Sequence, residues 1–290
     1  MICIKLQGGL GNQLFQFATA LALAEFHQTT VGFDLRFLKK QDAGQKHTLR
    51  HYALDLFSIP YEHLTFWNEI TLALRPFPFQ NTVQKTLRLL NKWTIYNEAT
   101  LSYNHDIRQE TSKNSYLTGY FQSEYYFKII ESKLRKVLQF KVLVQNELSE
   151  KIRQTNSVSL HIRRGDYAAN PDLLHFHGLC SLQYYQRASH FIGHRQSDLH
   201  FFIFSDDIIW ARQNLRLPFP SYFVRSTDSE DLQLMSLCKY NIIANSSFSW
   251  WGAWLNNNPE KIVVAPARWF ADEKAERESS TIVPETWIKI

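Results

Sequence analysis

Short apolar runs alternate with longer segments of helical periodicity along most of the chain, and this alternation is typical of α/β proteins. In the first part, residues 2–6 and 30–33 are predicted as strands and residues 12–26 as a helix. Further helices are predicted across 126–139 and 145–154. The stretch 40–115 is rich in aromatic residues and interrupted by prolines, and its pattern assigns no element.

A second alternating series begins near residue 157 and predicts a doubly wound parallel sheet. Its predicted strands are 158–162, 200–204, 222–224, 241–244 and 262–265, and its predicted helices are 182–191, 207–214, 230–238 and 248–256. Ligands of such sheets lie outside the carboxyl ends of the strands. We therefore predict two Rossmann-like domains that face a cleft, residues 1–150 and 151–290, with an uncertainty of several residues at the boundary.

The composition of the 290 residues limits the classes of protein to consider. Hydrophobic residues make up 44% and charged residues 20%, which excludes a disordered chain. The cysteines Cys3, Cys180 and Cys238 form no Cys-x-x-Cys pair, so neither a disulfide framework nor a cysteine-rich zinc site is expected. No run reaches the roughly 18–20 apolar residues of a membrane span, and no signal peptide is recognisable, so we expect a cytoplasmic protein.

The formal net charge of +5 is modest and spread along the chain. This charge suits an enzyme with an anionic substrate and allows weak peripheral contact with a membrane surface. The sequence has no signature of an RRM, zinc finger or helix-turn-helix, so nucleic acid is not an expected partner.

Residues 8–13, Gly-Gly-Leu-Gly-Asn-Gln, lie between the first predicted strand and the first helix. Gly9 and Gly11 allow the backbone to approach a ligand, and the N-terminus of the following helix favours an anion. The same glycines also suit a tight turn that binds nothing. A dinucleotide-binding turn is a third interpretation, because Asp34 ends the second strand where a ribose-binding acid would stand, although Leu14 replaces the third glycine.

Residues 161–167, His-Ile-Arg-Arg-Gly-Asp-Tyr, concentrate polar side chains at the carboxyl end of a predicted strand. His161 and Arg163 face the same side if the extended backbone continues. The planar fork of an arginine can hold a phosphate through two parallel hydrogen bonds, and Asp166 can pair with one of the two arginines. An arginine–aspartate pair that only closes the strand is the alternative, but the density of polar groups favours a site.

One helix start in the second half combines Thr227 and Glu230, which form a capping box, with Asp231 in the same first turn. Acidic residues there stabilise a helix without any other function. A carboxylate can also accept hydrogen bonds from N1–H and the exocyclic amine of guanine, a donor pair that adenine does not offer. Both interpretations of Asp231 stay open at this point.

A later helix start contains Ser246, Ser247 and Phe248. The N–H groups of a helix start, together with the two hydroxyls, can hold a diphosphate without a metal. Trp250 and Trp254 follow four residues apart, a spacing that favours packing against the sheet over stacking on a sugar.

Two weaker candidates are an acidic pair and a histidine pair. Asp206 and Asp207 follow a predicted strand, where they can bind Mg²⁺ or cap the next helix. His175 and His177 are predicted in a solvated loop, and binding of a substrate or metal is the alternative.

Three segments, GGLGNQ, HIRRGDY and NSSFSWWGAWL, resemble the α-1,2-fucosyltransferases of glycosyltransferase family eleven in their order and rough spacing. The resemblance implies a GT-B fold with GDP-L-fucose as the donor and no cofactor or required metal. It implies that the C-terminal domain holds the nucleotide and the N-terminal domain a β-galactoside acceptor. Animal members have an N-terminal membrane anchor that is not seen here, so the chain resembles a bacterial member that is cytoplasmic or peripheral to the inner membrane.

Carried over residue by residue, the resemblance also assigns a binding site. His161 would contact the guanosine, Arg163 the β-phosphate and Asp231 the guanine edge. The serines and Phe248 would line the diphosphate, while the first turn would reach towards fucose from the other domain. The residues expected to contact GDP-L-fucose are Gly9, Gly11, Asn12, His161, Arg163, Asp231, Ser246, Ser247 and Phe248.

The resulting hypothesis is an inverting, metal-independent transfer of L-fucose to the 2-hydroxyl of a terminal β-galactoside. Arg163 would stabilise the charge that grows on the leaving diphosphate, and Asp166 is the candidate general base. The alternatives are fucosyl transfer with another linkage, an NAD-type oxidoreductase, and a carbohydrate-binding module without catalysis.

Overall fold

Two parallel sheets organise the protein in the computed structural model, which describes residues 1–39, 50–62 and 93–290. Each sheet belongs to its own unit, Met1–Gln139 or Phe140–Ile290. The division precedes the expected boundary at residue 150, so the helix Glu147–Gln154 lies in the second unit. The predicted α/β fold is confirmed, and both units have the parallel sheet that a GT-B architecture requires.

The regular elements of the described residues have the following bounds. The strands are β1 (Ile2–Lys5), β2 (Val31–Asp34), β3 (Thr94–Asn97), β4 (Ser115–Thr118), β5 (Asn156–Ile162), β6 (Leu199–Ser205), β7 (Ser221–Phe223), β8 (Tyr240–Ile242), β9 (Val263–Ala265) and β10 (Ile288–Lys289). The α-helices are α1 (Leu10–Phe26), α2 (Arg36–Lys39), α3 (Ile107–Glu110), α4 (Glu131–Val137), α5 (Glu147–Gln154), α6 (Gly165–Ala169), α7 (Pro171–His177), α8 (Leu182–Gly193), α9 (Ile208–Asn214), α10 (Asp228–Leu237), α11 (Ser247–Leu255) and α12 (Glu273–Glu278). Short 3₁₀ helices cover Leu54–Leu56, Glu124–Tyr126 and Lys128–Ile130.

The sheet of the first unit has the strand order β2-β1-β4-β3, and all its neighbours are parallel. Helix α1 is rich in Leu, Phe and Ala and is buried along nearly all of its length, from Leu10 to Ala24. A helix that is apolar on most of its faces must be covered on most of its faces. The turn between β1 and α1 is consequently fixed at the carboxyl edge of this sheet.

The sheet of the second unit has the order β10-β9-β8-β5-β6-β7, again with all neighbours parallel. From β5 the chain proceeds outward through β6 and β7, and it then returns to add β8 on the other side of β5. The strand order therefore reverses between β5 and β8. In doubly wound sheets the crevice at this switch point is where ligands bind.

Helices cover both faces of the second sheet, which explains why its strands are continuous apolar runs. Phe201 and Ile203 of β6 pack into the cluster that contains α8, whereas Phe202 and Phe204 pack with residues of α10 on the opposite face. The register pairs His161 with Phe204, so His161 points to the α10 face of the sheet.

Some predicted elements were wrong. The single helix expected across 126–139 is two short 3₁₀ helices followed by α4, and the loop expected around His175 and His177 is the helix α7. Strands β3 and β4, which the pattern did not predict, are the four-residue segments Thr-Ile-Tyr-Asn and Ser-Tyr-Leu-Thr; they pair with each other, and β4 also pairs with β1. Part of the unassigned stretch, 40–49 and 63–92, lies outside the described residues.

Candidate functional site

The carboxyl end of β5 holds a histidine that burial keeps uncharged. His161 is 4% exposed, and its Nδ1 has no hydrogen-bond partner among the described residues. Burial lowers the pKa of His161 to about 4, a shift that the Asp206 carboxylate opposes and the Arg163 guanidinium reinforces. Its ring centroid lies 5.7 Å from that of Phe248 at the start of α11. The predicted neighbours at the ends of β5 and β8 are therefore in contact.

Arg163 is held between two carboxylates just beyond β5. Its Nη2 is 2.5 Å from Oδ1 of Asp166, and its Nη1 is 2.8 Å from Oδ2 of Asp206. The guanidinium carbon also lies 5.0 Å from the ring centroid of Tyr167. The arginine side chain is 19% exposed. Arg163 is thus both partly accessible and fixed in orientation, and the predicted pairing of Asp166 with one of the two arginines is confirmed for this one.

The neighbouring Arg164 points to a different set of groups. Its guanidinium carbon is 4.1 Å from the Trp210 ring centroid, and its Nε is 3.7 Å from Oδ2 of Asp207. Its backbone N–H donates to Oδ1 of Asp206 at 2.8 Å. Of the two adjacent arginines, Arg164 therefore anchors the turn on α9.

Asp206 and Asp207 have separate structural roles. Asp206 accepts from the arginine turn, whereas Asp207 caps α9 by accepting from the N–H of Trp210 at 3.1 Å. Capping was one of the two roles that the sequence allowed for this pair. Across residues 1–39, 50–62 and 93–290, no group of three or more His, Cys, Asp or Glu side chains could hold a metal ion.

The segment between β8 and α11 combines an anchored asparagine with a helix start. Asn245 donates from Nδ2 to the carbonyls of His177 and Trp269, at 2.9 and 3.1 Å. Ser246 precedes the helix, and its side chain makes no capping hydrogen bond there. The first-turn N–H groups of a helix have no intrahelical acceptor, so this start is suited to an anion.

The tryptophans of α11 belong to the core, as their spacing predicted. Trp250 is fully buried and donates from Nε1 to the carbonyl of Ile282 at 2.8 Å, and Trp254 is 4% exposed. The rings of Trp250 and Trp254 are stacked with centroids 6.5 Å apart. Neither ring is available to stack on a sugar.

Asp231 lies in the first turn of α10, after the capping box of Thr227 and Glu230 that the sequence predicted. Its carboxylate accepts a hydrogen bond from the hydroxyl of Ser226. Burial raises the pKa of Asp231 to about 6, although the bond from Ser226 opposes the shift. A carboxylate with this pKa is ionised at neutral pH and becomes protonated in mild acid.

In the first unit, the turn between β1 and α1 is held by side-chain amides. Gln13 donates to the carbonyls of Gly8 and His51 at 3.0 and 2.8 Å and accepts from the N–H of Ala53 at 3.0 Å. Asn12 accepts from Nε2 of Gln122 at 2.8 Å. The Asn12 side chain thereby has a defined orientation at the N-terminus of α1.

Gly8 is the residue of this turn that requires glycine conformationally. Its φ of +78° lies in the left-handed region, and a Cβ at this position would stand 2.5 Å from Nδ2 of Asn12. Gly9 precedes α1 with φ −77° and ψ 179°, an ordinary extended conformation, and Gly11 is buried within the helix. The backbone conformations of Gly9 and Gly11 therefore do not require glycine, and their contact with a ligand stays a prediction.

Asp34 does not fit a ribose-binding acid. Its Oδ1 accepts from the backbone N–H and Nε of Arg36, and its Oδ2 accepts from Nη2 of Arg36 and the hydroxyl of Tyr116. The residue is 3% exposed. Both carboxylate oxygens are engaged within the protein, so the NAD-type interpretation loses the residue on which it depended.

Three residues near these sites were not predicted as parts of them. Asp206 was considered only for a metal or a cap, although a polar residue at the end of the strand next to β5 was a usable signal. His177 stacks on Tyr167 with centroids 4.4 Å apart, and burial lowers its pKa to about 4. Gln122 had no sequence signal, because its contact with Asn12 spans more than a hundred positions.

Comparison with known proteins gives the class. The model of the family described as glycosyl transferase family 11 matches residues 1–290. The chain belongs to this glycosyltransferase family. An alpha-1,2-colitosyltransferase of Escherichia coli is 35% identical over 301 residues, which cover 100% of this chain and 99% of the relative. The O-antigen biosynthesis glycosyltransferase WbnK of Escherichia coli is 32% identical and covers 98% of this chain and 99% of its own length.

More distant relatives have lower sequence identity to this chain. The galactoside 2-alpha-L-fucosyltransferase SEC1 of Bos taurus is 24% identical over 87% of this chain and 63% of its own. Among solved structures, POFUT1 in complex with GDP-fucose is 12% identical, with a TM-score of 0.49 over 91% of this chain and 97% of its own. Among the described residues no helix is both long and apolar enough to cross a bilayer.

Proposed function

We propose that this glycosyltransferase moves L-fucose from GDP-L-fucose to the 2-hydroxyl of a terminal β-galactoside, with inversion and without a metal. The observation that supports it most directly is the fixed, partly accessible Arg163 at the carboxyl end of β5, where the strand order reverses. The proposed partners are the nucleotide sugar and a galactoside oligosaccharide. The proposed location is the cytoplasm, with weak peripheral contact to a membrane.

Arg163 is the proposed stabiliser of the leaving group. The guanidinium has five N–H donors, and the contacts with Asp166 and Asp206 engage one terminal nitrogen each with a single oxygen. Donors therefore remain for a β-phosphate oxygen. In a transfer through an oxocarbenium-like transition state, negative charge grows on that phosphate, and donors fixed in advance stabilise it without reorganisation.

The start of α11 is the proposed second contact with the diphosphate. Ser246, Ser247 and Phe248 would direct two hydroxyls and the first-turn N–H groups towards it. The ring contact between His161 and Phe248 joins this helix start to the end of β5 within the second unit. Positive charge from the arginine and partial charge from the helix would then act on one diphosphate without a divalent ion.

Base selection is the proposed role of Asp231 and His161. The Asp231 carboxylate would accept from N1–H and the exocyclic amine of guanine, and the first turn of α10 holds it in a partly buried position. The neutral imidazole of His161 has a buried Nδ1 without a partner among the described residues, and a guanosine hydroxyl would satisfy it.

Asp166 is the proposed general base for the acceptor hydroxyl. A base must come within hydrogen-bond reach of the proton that it removes, about 2.6–3.2 Å between heavy atoms. The carboxylate is already bound to Arg163, so one residue would both orient the arginine and accept the proton. The first turn, with Gly9, Gly11 and Asn12, is the proposed contact with the sugar from the first unit.

Colitosyl transfer is a second candidate, because a relative that is 35% identical over the whole chain is an alpha-1,2-colitosyltransferase. Colitose is fucose without its 3-hydroxyl, so the two donors differ by a single polar group. A site that hydrogen-bonds the 3-hydroxyl would reject the donor that lacks it, whereas a site that leaves it in solvent would accept both.

The decisive experiment offers the purified protein GDP-L-fucose and the colitose donor, each with a panel of β-galactosides. We expect fucose transfer, with the anomeric configuration and linkage position of the product determined by NMR. An α-1,2 product from the β-linked donor would establish both the linkage and inversion. Transfer of colitose alone would contradict the fucosyl proposal, and another linkage would contradict the 2-hydroxyl.

A further inference from the structure

Asp206, at the carboxyl end of β6, contacts the turn after β5 that contains Arg163 and Arg164, here called the arginine turn. None of the roles assigned above explains this carboxylate. The register pairs Ile162 of β5 with Ser205 of β6, so the residues that follow the two strands leave the sheet side by side. One of those residues is Arg163 and the other is Asp206. Two adjacent parallel strands thus deliver an arginine and its counter-ion to the same edge.

Both oxygens of Asp206 are engaged with this turn. Oδ2 is 2.8 Å from Nη1 of Arg163, and Oδ1 accepts from the backbone N–H of Arg164 at 2.8 Å. One oxygen therefore fixes the guanidinium while the other fixes the backbone from which that guanidinium projects. The Asp206 side chain is 26% exposed and the Arg163 side chain 19%, so water screens this ion pair only in part.

The glycine of the turn leaves room for the carboxylate. A Cβ at Gly165 would stand 2.8 Å from Oδ2 and 3.0 Å from Cγ of Asp206. No positive φ is recorded for Gly165, so the requirement for glycine is one of space. Any side chain at this position would have to displace the Asp206 carboxylate, and that carboxylate is bound at both oxygens.

We propose that Asp206 is a positioning residue of this glycosyltransferase. Its carboxylate orients the Arg163 guanidinium, and the absence of a side chain at Gly165 leaves the space that this carboxylate occupies. Asp206 acts through the arginine and need not touch the substrate. This inference rests on the proposed role of Arg163 at the diphosphate. It adds to the site a carboxylate from a second strand and a glycine that the sequence showed only as part of a motif.

The first test replaces the carboxylate with its closest isostere. In Asp206→Asn the amide oxygen can still accept from the N–H of Arg164, but an N–H₂ group or a neutral oxygen faces Arg163. We expect kcat to fall by about tenfold to a hundredfold, because the arginine loses a charge-assisted partner that orients it in the transition state. The KM for the donor should change less than kcat, and thermal stability should stay near that of the wild type.

The matched control is Asp207→Asn. Asp207 is the next residue, carries the same charge and caps α9, and asparagine is an equally good cap. We expect its kcat to stay within about twofold of the wild type. Equal losses in the two variants would overturn the proposal, because they would reflect the negative charge of the pair and not the contact with Arg163. Unchanged kcat in Asp206→Asn would overturn it as well.

The second test moves the carboxylate without changing any charge. Gly165→Ala keeps Arg163, Asp166 and Asp206 but adds a methyl carbon 2.8 Å from Oδ2 of Asp206, too close for the carboxylate to stay in place. We expect a loss of kcat similar to that of Asp206→Asn, and the double variant should lose little more than either single variant. Additive losses would show that the two residues act separately and would overturn the coupling that we infer.

The failure of this inference can be told apart from the failure of the proposed function. A wild-type protein that transfers no fucose or colitose would remove the proposed function and the basis of the inference together. An active wild type whose Asp206→Asn variant is equally active would remove only the positioning role.

Discussion

The two turns that follow β1 and β5 have the same place in their sheets but are held by different forces. The turn of the first unit is fixed by neutral amides: Gln13 donates two hydrogen bonds and accepts a third, and Asn12 accepts one from Gln122. The turn of the second unit is fixed by ion pairs of Arg163 with Asp166 and Asp206. A parallel sheet supplies the edge in both cases, and the side chains decide what the edge can bind.

The difference matters because ion pairs and amide bonds respond differently to an anion. A diphosphate competes for the donors of an arginine and changes the electrostatics of its carboxylates. An amide network presents no net charge, so it holds a backbone in place whether or not a charged ligand is bound. We therefore expect the second turn to determine donor chemistry and the first to provide a rigid surface.

The largest expected effect on activity comes from removing the Arg163 guanidinium from the turn after β5, which ion pairs hold in place and which we call the charged turn. Arg163→Ala should reduce kcat by about two to three orders of magnitude, because it removes preorganised donors from the leaving phosphate. Steady-state kinetics with the donor and a β-galactoside measure this. Arg163→Lys is the matched comparison, since it keeps the charge but not the planar fork, and most of the loss should persist. Near wild-type turnover in either variant would contradict the assigned role.

The turn after β1, which neutral amides hold in place, should contribute to the stability of the first unit by an amount that does not depend on salt concentration. Gln13→Ala should destabilise the first unit by about 1–3 kcal/mol, because the partly buried N–H of Ala53 and the carbonyls of Gly8 and His51 lose their bonds to this side chain. Denaturant unfolding at about 0.1 M and about 1 M NaCl should give the same loss, since the contact is neutral. Gln139→Ala, at an exposed position of the same unit, should cost no more than about 0.5 kcal/mol. A loss of unfolding free energy that depends on the NaCl concentration would contradict the assignment of neutral contacts to the first turn and ion pairs to the second.

Donor affinity should follow the titration of Asp231. With the pKa raised to about 6, the carboxylate is ionised at pH 7.5 and mostly protonated at pH 5. If the ionised form accepts from guanine, affinity for GDP-fucose should fall by about tenfold over this interval as the pH is lowered. Calorimetry with GDP-fucose is the appropriate measurement, because its diphosphate does not titrate in this range.

The matched variant Asp231→Asn should bind GDP-fucose more weakly at pH 7.5 and show little further change at pH 5. Retention of full affinity in this variant would remove Asp231 from the nucleotide site. A pH dependence that survives in the variant would assign the titration to another group.

The smallest expected effect is that of a chelator. If Arg163 and the start of α11 neutralise the diphosphate, EDTA should change transfer by less than about twofold. Activity that is lost with EDTA and restored by Mg²⁺ would contradict metal independence. It would also show that the charged turn does not act on the diphosphate alone.

Much of the fold follows from local sequence pattern. The alternation of apolar runs predicted the strands β5 to β9 of the second sheet and the helices α8 to α11, because parallel strands buried on both faces are uniformly apolar, but it did not predict the edge strand β10. Strands β3 and β4 were not predicted, since each is a four-residue segment without a continuous apolar run and forms a strand by pairing with its neighbours. The helix α7 was also missed, although Asn170 and Pro171 are typical of a helix start.

The sequence by itself determined the chemistry that is available at the strand ends: an arginine pair, a capping box with an added acid, and serines before an apolar helix. Only the tertiary structure decided which of these groups meet. In the folded protein Arg163 pairs with Asp206, Arg164 lies against Trp210, and the Asp34 carboxylate is bound within the protein. Burial lowers the pKa of His161, so its imidazole is uncharged at neutral pH. The physical reason is that pairing and desolvation depend on distances between strands, which local periodicity does not encode.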